Sequence, residues 1–163
     1  MNNDTPGSQA LRYLDDLKAG DRFLSGKHTI DEFQIKSFAA QFDPQPFHMD
    51  DEAAKATLFG GLAASGWHTA AITMRLLVGG LPLAGGIIGA GGEITWPKPT
   101  RPGDVLQVES EVVSVTPSRR VPIAEWSSFA TKRAISRATC CSFRFSNWSC
   151  PGGLPDTARV SGR

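Results

Sequence analysis

Two prolines, Pro44 and Pro46, impose the sharpest constraint on this chain. Proline lacks an amide proton and restricts the residue before it, so a helix arriving from upstream must stop there. That helix has a marked start. Thr29-Ile30-Asp31-Glu32 reads as a capping box, with the Thr29 hydroxyl accepting from a backbone N–H and Glu32 reaching back. Ile35, Phe38, Ala39 and Phe42 then form one apolar helix face. Beyond the prolines, residues 50–56 suit a short acidic helix and 58–64 a glycine-broken loop. Residues 65–78 are helical again, with Trp67, Ala70, Ala71, Met74 and Leu77 or Val78 close to one stripe. This segment is apolar on most sides and reads as a buried helix ended by Gly79-Gly80. Strands are predicted over 21–27, 85–96 and 105–116, the last after the turn Arg101-Pro102-Gly103-Asp104. Residues 1–12 read as a flexible leader.

The balance of charge excludes several partners. Among 163 residues, 17 Lys+Arg stand against 16 Asp+Glu, a net charge of +1, so there is no basic excess to grip nucleic acid. The apolar stretches at 70–78 and 81–90 are broken by Arg75 and by glycines, short of the ~20 residues a membrane helix needs. The first residues are polar and acidic where a signal peptide would be basic and then apolar. The expectation is a cytoplasmic protein with neither nucleic-acid nor membrane partners. Cys140, Cys141 and Cys150 are odd in number, two are adjacent, and no histidine lies near them. They suit neither a disulfide framework nor a zinc site, and no metal is expected.

Chemistry concentrates in Asp43-Pro44-Gln45-Pro46-Phe47-His48. A carboxylate and an imidazole sit on a proline-pinned loop, and an Asp–His pair is suited to acid/base work around one water. By itself such spacing is more often a turn cap and a satisfied histidine. In Leu62-Ala63-Ala64-Ser65-Gly66-Trp67, small residues lead into the apolar helix. Backbone N–H groups at a helix N-terminus favour negative charge, as an oxyanion hole requires, and glycine at 66 would admit an acyl group. Ordinary helix-start chemistry, with Ser65 as cap, accounts for the same residues. His28 and His68 are candidates by residue type alone, and His68 reads as structural.

With these strings in view, the chain resembles the MaoC-like (R)-specific enoyl-CoA hydratases and dehydratases. The family pattern D-x-N-P-x-H-x-D is matched by Asp43 to Asp50, and F-G-x-x-I-A-x-G by Phe59 to Gly66. Gly91-Gly92-Glu93-Ile94-Thr95-Trp96-Pro97 and Pro99-Thr100-Arg101-Pro102-Gly103-Asp104 match later strings. The resemblance implies an α+β class, a single hot-dog domain with an antiparallel sheet wrapped around a central helix, here over residues 13–120. It implies that Asp43 and His48 activate a water that adds to C3 of a trans-2-enoyl thioester, giving a (3R)-hydroxyacyl product. Gly66 would stabilise the enolate oxygen through its N–H, and Ser65, Phe47 and Trp67 would contact substrate. It implies no metal or redox cofactor, an acyl-CoA or acyl-carrier-protein thioester as substrate, and a homodimer. Gln45 stands where the family often has Asn, and Met74 near a position where some members place a supporting Ser; both bear on substrate preference.

Residues 121–163 depart from the family pattern. They lack a sustained period of two and are rich in Ser, Arg, Trp and Cys. Back-translated from Arg120 with GC-rich codons and shifted by one base, they can yield a strand, a polar turn and a second strand. The expectation is a frameshift near 118–120, with the C-terminal strands missing or aberrant and any strand there short and weakly joined. Two rival functions are an acyl-CoA thioesterase and a non-catalytic or inactive acyl-thioester-binding protein. A thioesterase of this fold typically carries its carboxylate on the central helix, and residues 65–78 hold no Asp or Glu.

Overall fold

A computed structural model describes residues 10–84, 86–89, 92–116, 123–134 and 136–149. Strand β1 (Arg22–Thr29) leads into helix α1 (Glu32–Phe42). The capping box lies two residues beyond its expected place. Thr29 is still in the ladder, opposite Val105, so its backbone cannot turn into a cap. Asp31 caps instead: its carboxylate accepts from the Gln34 N–H at 2.7 Å, and Gln34 Oε1 accepts from the Asp31 N–H at 3.4 Å. Ile35 and Ala39 are fully buried as their spacing predicts, the isoleucine alone being worth about 1.5–3 kcal/mol. Phe42, at the end of the same stripe, is exposed.

The proline string itself contains a short helix, α2 (Pro46–Met49), with Pro46 at the first position where its missing N–H costs nothing. Asp50 caps the next helix, α3 (Asp51–Lys55), by accepting from the Ala53 N–H at 2.8 Å.

The central helix, α4 (Gly66–Gly80), starts at Ser65 and lies against β1 and β4 (Val105–Thr116). Its buried face meets the expected stripe only at Ala70 and Leu77. His68, Thr69, Ile72, Thr73 and Leu76 are buried with them, whereas Trp67, Ala71, Met74 and Val78 are exposed. The threonines tolerate burial because their hydroxyls are satisfied locally. Thr73 Oγ1 donates to the Thr69 carbonyl at 2.7 Å, and Thr69 Oγ1 to the Ser65 carbonyl at 3.3 Å. Gly79 and Gly80 are the last residues of the helix. At Gly80, α4 crosses β1 so closely that a Cβ would lie 2.8 Å from the Ser25 Cα.

Where one strand is predicted over 85–96, the structure has two short ones, β2 (Ile88–Gly89) and β3 (Gly92–Thr95). Strands β5 (Ile123–Ala134) and β6 (Ser136–Ser149) complete an antiparallel sheet ordered β1-β4-β5-β6-β2, with β3 also on β6. These two strands, 12 and 14 residues long, correct the expectation that the segment after Arg120 would form only short, weakly joined strands. No proline or glycine interrupts 123–149, so the backbone can complete its ladder with β4 without an alternating side-chain pattern. Residues 117–122 and 150–163 lie outside the described residues, as do 1–9 of the expected leader. Arg12, also in that leader, is tied down: its N–H donates to the Pro82 carbonyl at 2.7 Å, and its carbonyl accepts from the Ala84 N–H at 2.9 Å. Among the described residues, no helix is long and apolar enough to cross a membrane.

The core gathers where α4 meets the sheet, around Leu106, Val108, Val112, Ile72 and Leu76, with Ile30 and Ile35 closing one end. The loops at that end bring residues 43–48, 59–66 and 96–101 together.

Candidate active site

Asp43 is the C-cap of α1, its N–H donating to the Ala39 carbonyl at 2.9 Å. His48 lies on α2 and is buried. Its Nδ1 is 2.7 Å from the Ala63 carbonyl oxygen, which can only accept, so Nδ1 carries a proton. Nε2 then faces Asp43, 3.4 Å from Oδ2. Gln45 donates its side-chain N–H to Asp43 Oδ1 at 2.7 Å. Burial raises the Asp43 carboxyl, but hydrogen bonds from Ser65 and Gln45 and the nearby His48 outweigh it and hold it below the usual carboxylate range. The carboxylate therefore stays ionised at neutral pH.

The pair opens on a cavity of about 510 Å³. Phe47, Leu58, Phe59, Trp67 and Trp96 give it apolar walls, and Gly66 contributes backbone. The Phe47 ring stands edge-on to His48, 4.5 Å between centroids, and Trp67 meets Trp96 edge-on at 5.5 Å. The Trp96 ring lies directly over Gly66: a Cβ there would sit 2.9 Å from Trp96 Cε2. At the first position of α4, the Gly66 N–H has no intrahelical carbonyl to bond.

The structure thus brings Asp43, His48, Gly66, Phe47 and Trp67 to one cavity. Ser65 is not among its lining: it is wholly buried, its hydroxyl shared between Asp43 and the Trp67 N–H at 3.2 Å. Its hydrogen bond helps hold the carboxylate in its ionised form. His28 and His68 are elsewhere, beside a second cavity of about 420 Å³. Arg75 Nη2 is 2.7 Å from His28 Nδ1, and His28 Nε2 is 3.2 Å from Gln34 Oε1. His68 stacks on Phe38 with centroids 4.5 Å apart. Burial, then the charge of His28, pushes its pKa down to about 4.

Sequence reasoning passed over Trp96, although it stands in one of the matched strings, and the Ala63 carbonyl, a backbone group that carries no residue-type signal. Among the described residues, no cluster of three His, Cys, Asp or Glu could hold a metal ion.

The MaoC like domain matches residues 18–147. The Bacillus subtilis (strain 168) protein YdeM, described as uncharacterized, is 36% identical over 109 residues, covering 65% of this chain and 77% of that one. A 3-hydroxybutyryl-CoA dehydratase of Methylorubrum extorquens is 30% identical over 109 residues, 66% of this chain and 68% of its own. The crystal structure of a MaoC-like dehydratase from Rhodospirillum rubrum, 51% identical, covers 88% of this chain and 99% of that one at a TM-score of 0.83.

Proposed function

Since the chain belongs to the MaoC-like domain family and has its hot-dog fold, we propose that it is a hydro-lyase that adds water reversibly to trans-2-enoyl thioesters, giving (3R)-hydroxyacyl thioesters. One observation carries the reading. With Nδ1–H donating to the Ala63 carbonyl at 2.7 Å, His48 turns Nε2 toward Asp43, 3.4 Å from Oδ2, and in the neutral form of the ring that Nε2 is an acceptor. Two acceptors that close call for a shared donor between them, and a water molecule supplies two O–H groups.

The chemistry then follows from the residues. As the water oxygen bonds to C3 of the enoyl group, His48 takes its proton, and the Asp43 carboxylate stabilises the imidazolium. The C2–C3 π pair moves toward the thioester, placing charge on its oxygen. The Gly66 N–H, at the positive end of α4, donates a hydrogen bond to that oxygen and stabilises it. The pair returns a proton to C2, so that H and OH have been added and the enzyme is restored. Dehydration is the same path reversed. The Methylorubrum relative is named for a dehydration of a short hydroxyacyl-CoA, and the apolar walls here suit an acyl group.

The substrate carrier is CoA or acyl carrier protein. A homodimer in the cytoplasm belongs to the same reading: Trp67, Ala71, Met74 and Val78 form a continuous exposed apolar stripe on α4 that a second copy can cover. The test is hydration of crotonyl-CoA with chiral analysis of the 3-hydroxybutyryl product. No turnover with this or longer trans-2-enoyl thioesters would refute the proposal.

A further inference from the structure

We propose that Arg101 is a positioning residue for His48, acting through the backbone of residues 59–64; its bearing on catalysis rests on the hydro-lyase reading above. Arg101 stands in a turn that is itself fixed. Its N–H donates to Asp104 Oδ2 at 2.7 Å, the Asp104 N–H returns to the Arg101 carbonyl at 3.1 Å, and the Ile30 N–H donates to the Asp104 carbonyl at 3.0 Å. From this platform the guanidinium reaches across to three backbone carbonyls. Nη1 donates to Gly61 at 2.5 Å and to Leu62 at 3.0 Å, and Nη2 donates to Phe59.

The consequence lies in the peptide units. In the Gly61–Leu62 unit, the oxygen is held by Arg101 and the N–H donates to Asp51 Oδ1 at 3.0 Å. In the Leu62–Ala63 unit, the oxygen is again held by Arg101 and the N–H donates to the Phe47 carbonyl at 3.2 Å. In the next unit, the Ala63 oxygen takes the His48 Nδ1 proton and the Ala64 N–H donates to the Thr100 carbonyl at 2.8 Å. Three successive peptide planes are each pinned at both ends, and Arg101 holds the oxygens of the two that lead to Ala63. Three carbonyl dipoles turned toward one point need a cation with a broad donor fork. The planar five-donor guanidinium supplies it, and a lysine ammonium does not span it. Without Arg101 the two upstream planes are held at their N–H ends alone and can tilt about them, so the Ala63 oxygen shifts and the bond that holds the His48 proton on Nδ1 weakens.

The experiment is to compare the full-length wild-type chain with Arg101→Met and Arg101→Lys, using ¹⁵N-labelled histidine spectra and crotonyl-CoA kinetics. The chain has three histidines, so His48→Gln assigns the resonance. The expected result is an Nδ1–H tautomer at His48 in the wild type and a mixed or Nε2–H population in Arg101→Met. With it should come a kcat lower by about 100-fold at nearly unchanged KM, and partial recovery in Arg101→Lys. A wild-type tautomer in Arg101→Met overturns the proposal, whether or not the rate falls. If Arg101→Met does not fold, Arg101→Lys decides by the same two readouts. If the wild type hydrates no enoyl thioester, the hydro-lyase reading fails, while the tautomer spectra still decide whether Arg101 orients His48.

Discussion

His48 gives its Nδ1 proton to the carbonyl of Ala63 at 2.7 Å, and this one bond determines which nitrogen faces Asp43. The bond joins α2 to the loop before α4, so the acid/base pair is set by two segments that meet only in the folded chain.

For this pair, Asp43→Asn and His48→Gln should each lower the rate of crotonyl-CoA hydration by about 10²–10⁴-fold. Melting temperatures should change little. Either variant hydrating at a near-normal rate would remove that residue from the mechanism.

Gly66 faces a steric test. A methyl group there would meet the Trp96 ring at 2.9 Å, so Gly66→Ala should cost about 1–3 kcal/mol of stability. Trp96→Leu in the same chain should recover the stability. Denaturant melts of the single and double variants check this, and a Gly66→Ala chain as stable as the wild type would contradict the close approach.

His68 makes stability depend on pH. Its native pKa of about 4 lies below the ordinary 6.5, so the unfolded chain binds a proton that the native chain refuses. The cost is absent above about pH 7 and grows as pH falls from 6.5 toward 4. Urea melts of wild type and His68→Gln at pH 7 and pH 4.5 should show the variant losing less stability. Parallel losses would mean that His68 titrates normally.

The segment after Arg120 yields a prediction at the level of the gene. Strand β6 pairs with β3 through Thr95 and Ser142, and Trp96 follows directly on β3. If 121–163 are read from a shifted frame, restoring one base near 118–120 should raise soluble yield and melting temperature and firm the wall over Gly66. Side-by-side expression with proteolysis after Arg120 tests this, together with the DNA sequence at that point. Equal melting and equal resistance would make the segment a genuine part of this protein.

Much of the fold was legible because local rules suffice for it. Pro44 and Pro46 end α1 through missing donors, and Ile35 and Ala39 bury through helical spacing. Asp43, His48 and Gly66 could be named because their residue types and the matched strings fix their order along the chain. The cap of α1 was misplaced by two residues because pairing of Thr29 with Val105 overrides a local propensity. Of the buried face of α4 only Ala70 and Leu77 were legible, because threonine hydroxyls can bond the helix's own carbonyls, which hydropathy does not register.

The sequence by itself determined where the elements break, which residue types stand at the turns, and which acid and base are available. Tertiary structure alone decided that Ser65 is buried against Asp43 rather than lining the cavity, that Trp96 covers Gly66, and that Ala63 selects the tautomer of His48. The physical reason is that these are contacts of backbone carbonyls and ring faces between segments distant in the chain. Such groups are present in every residue or many, and only packing gives one of them a particular partner.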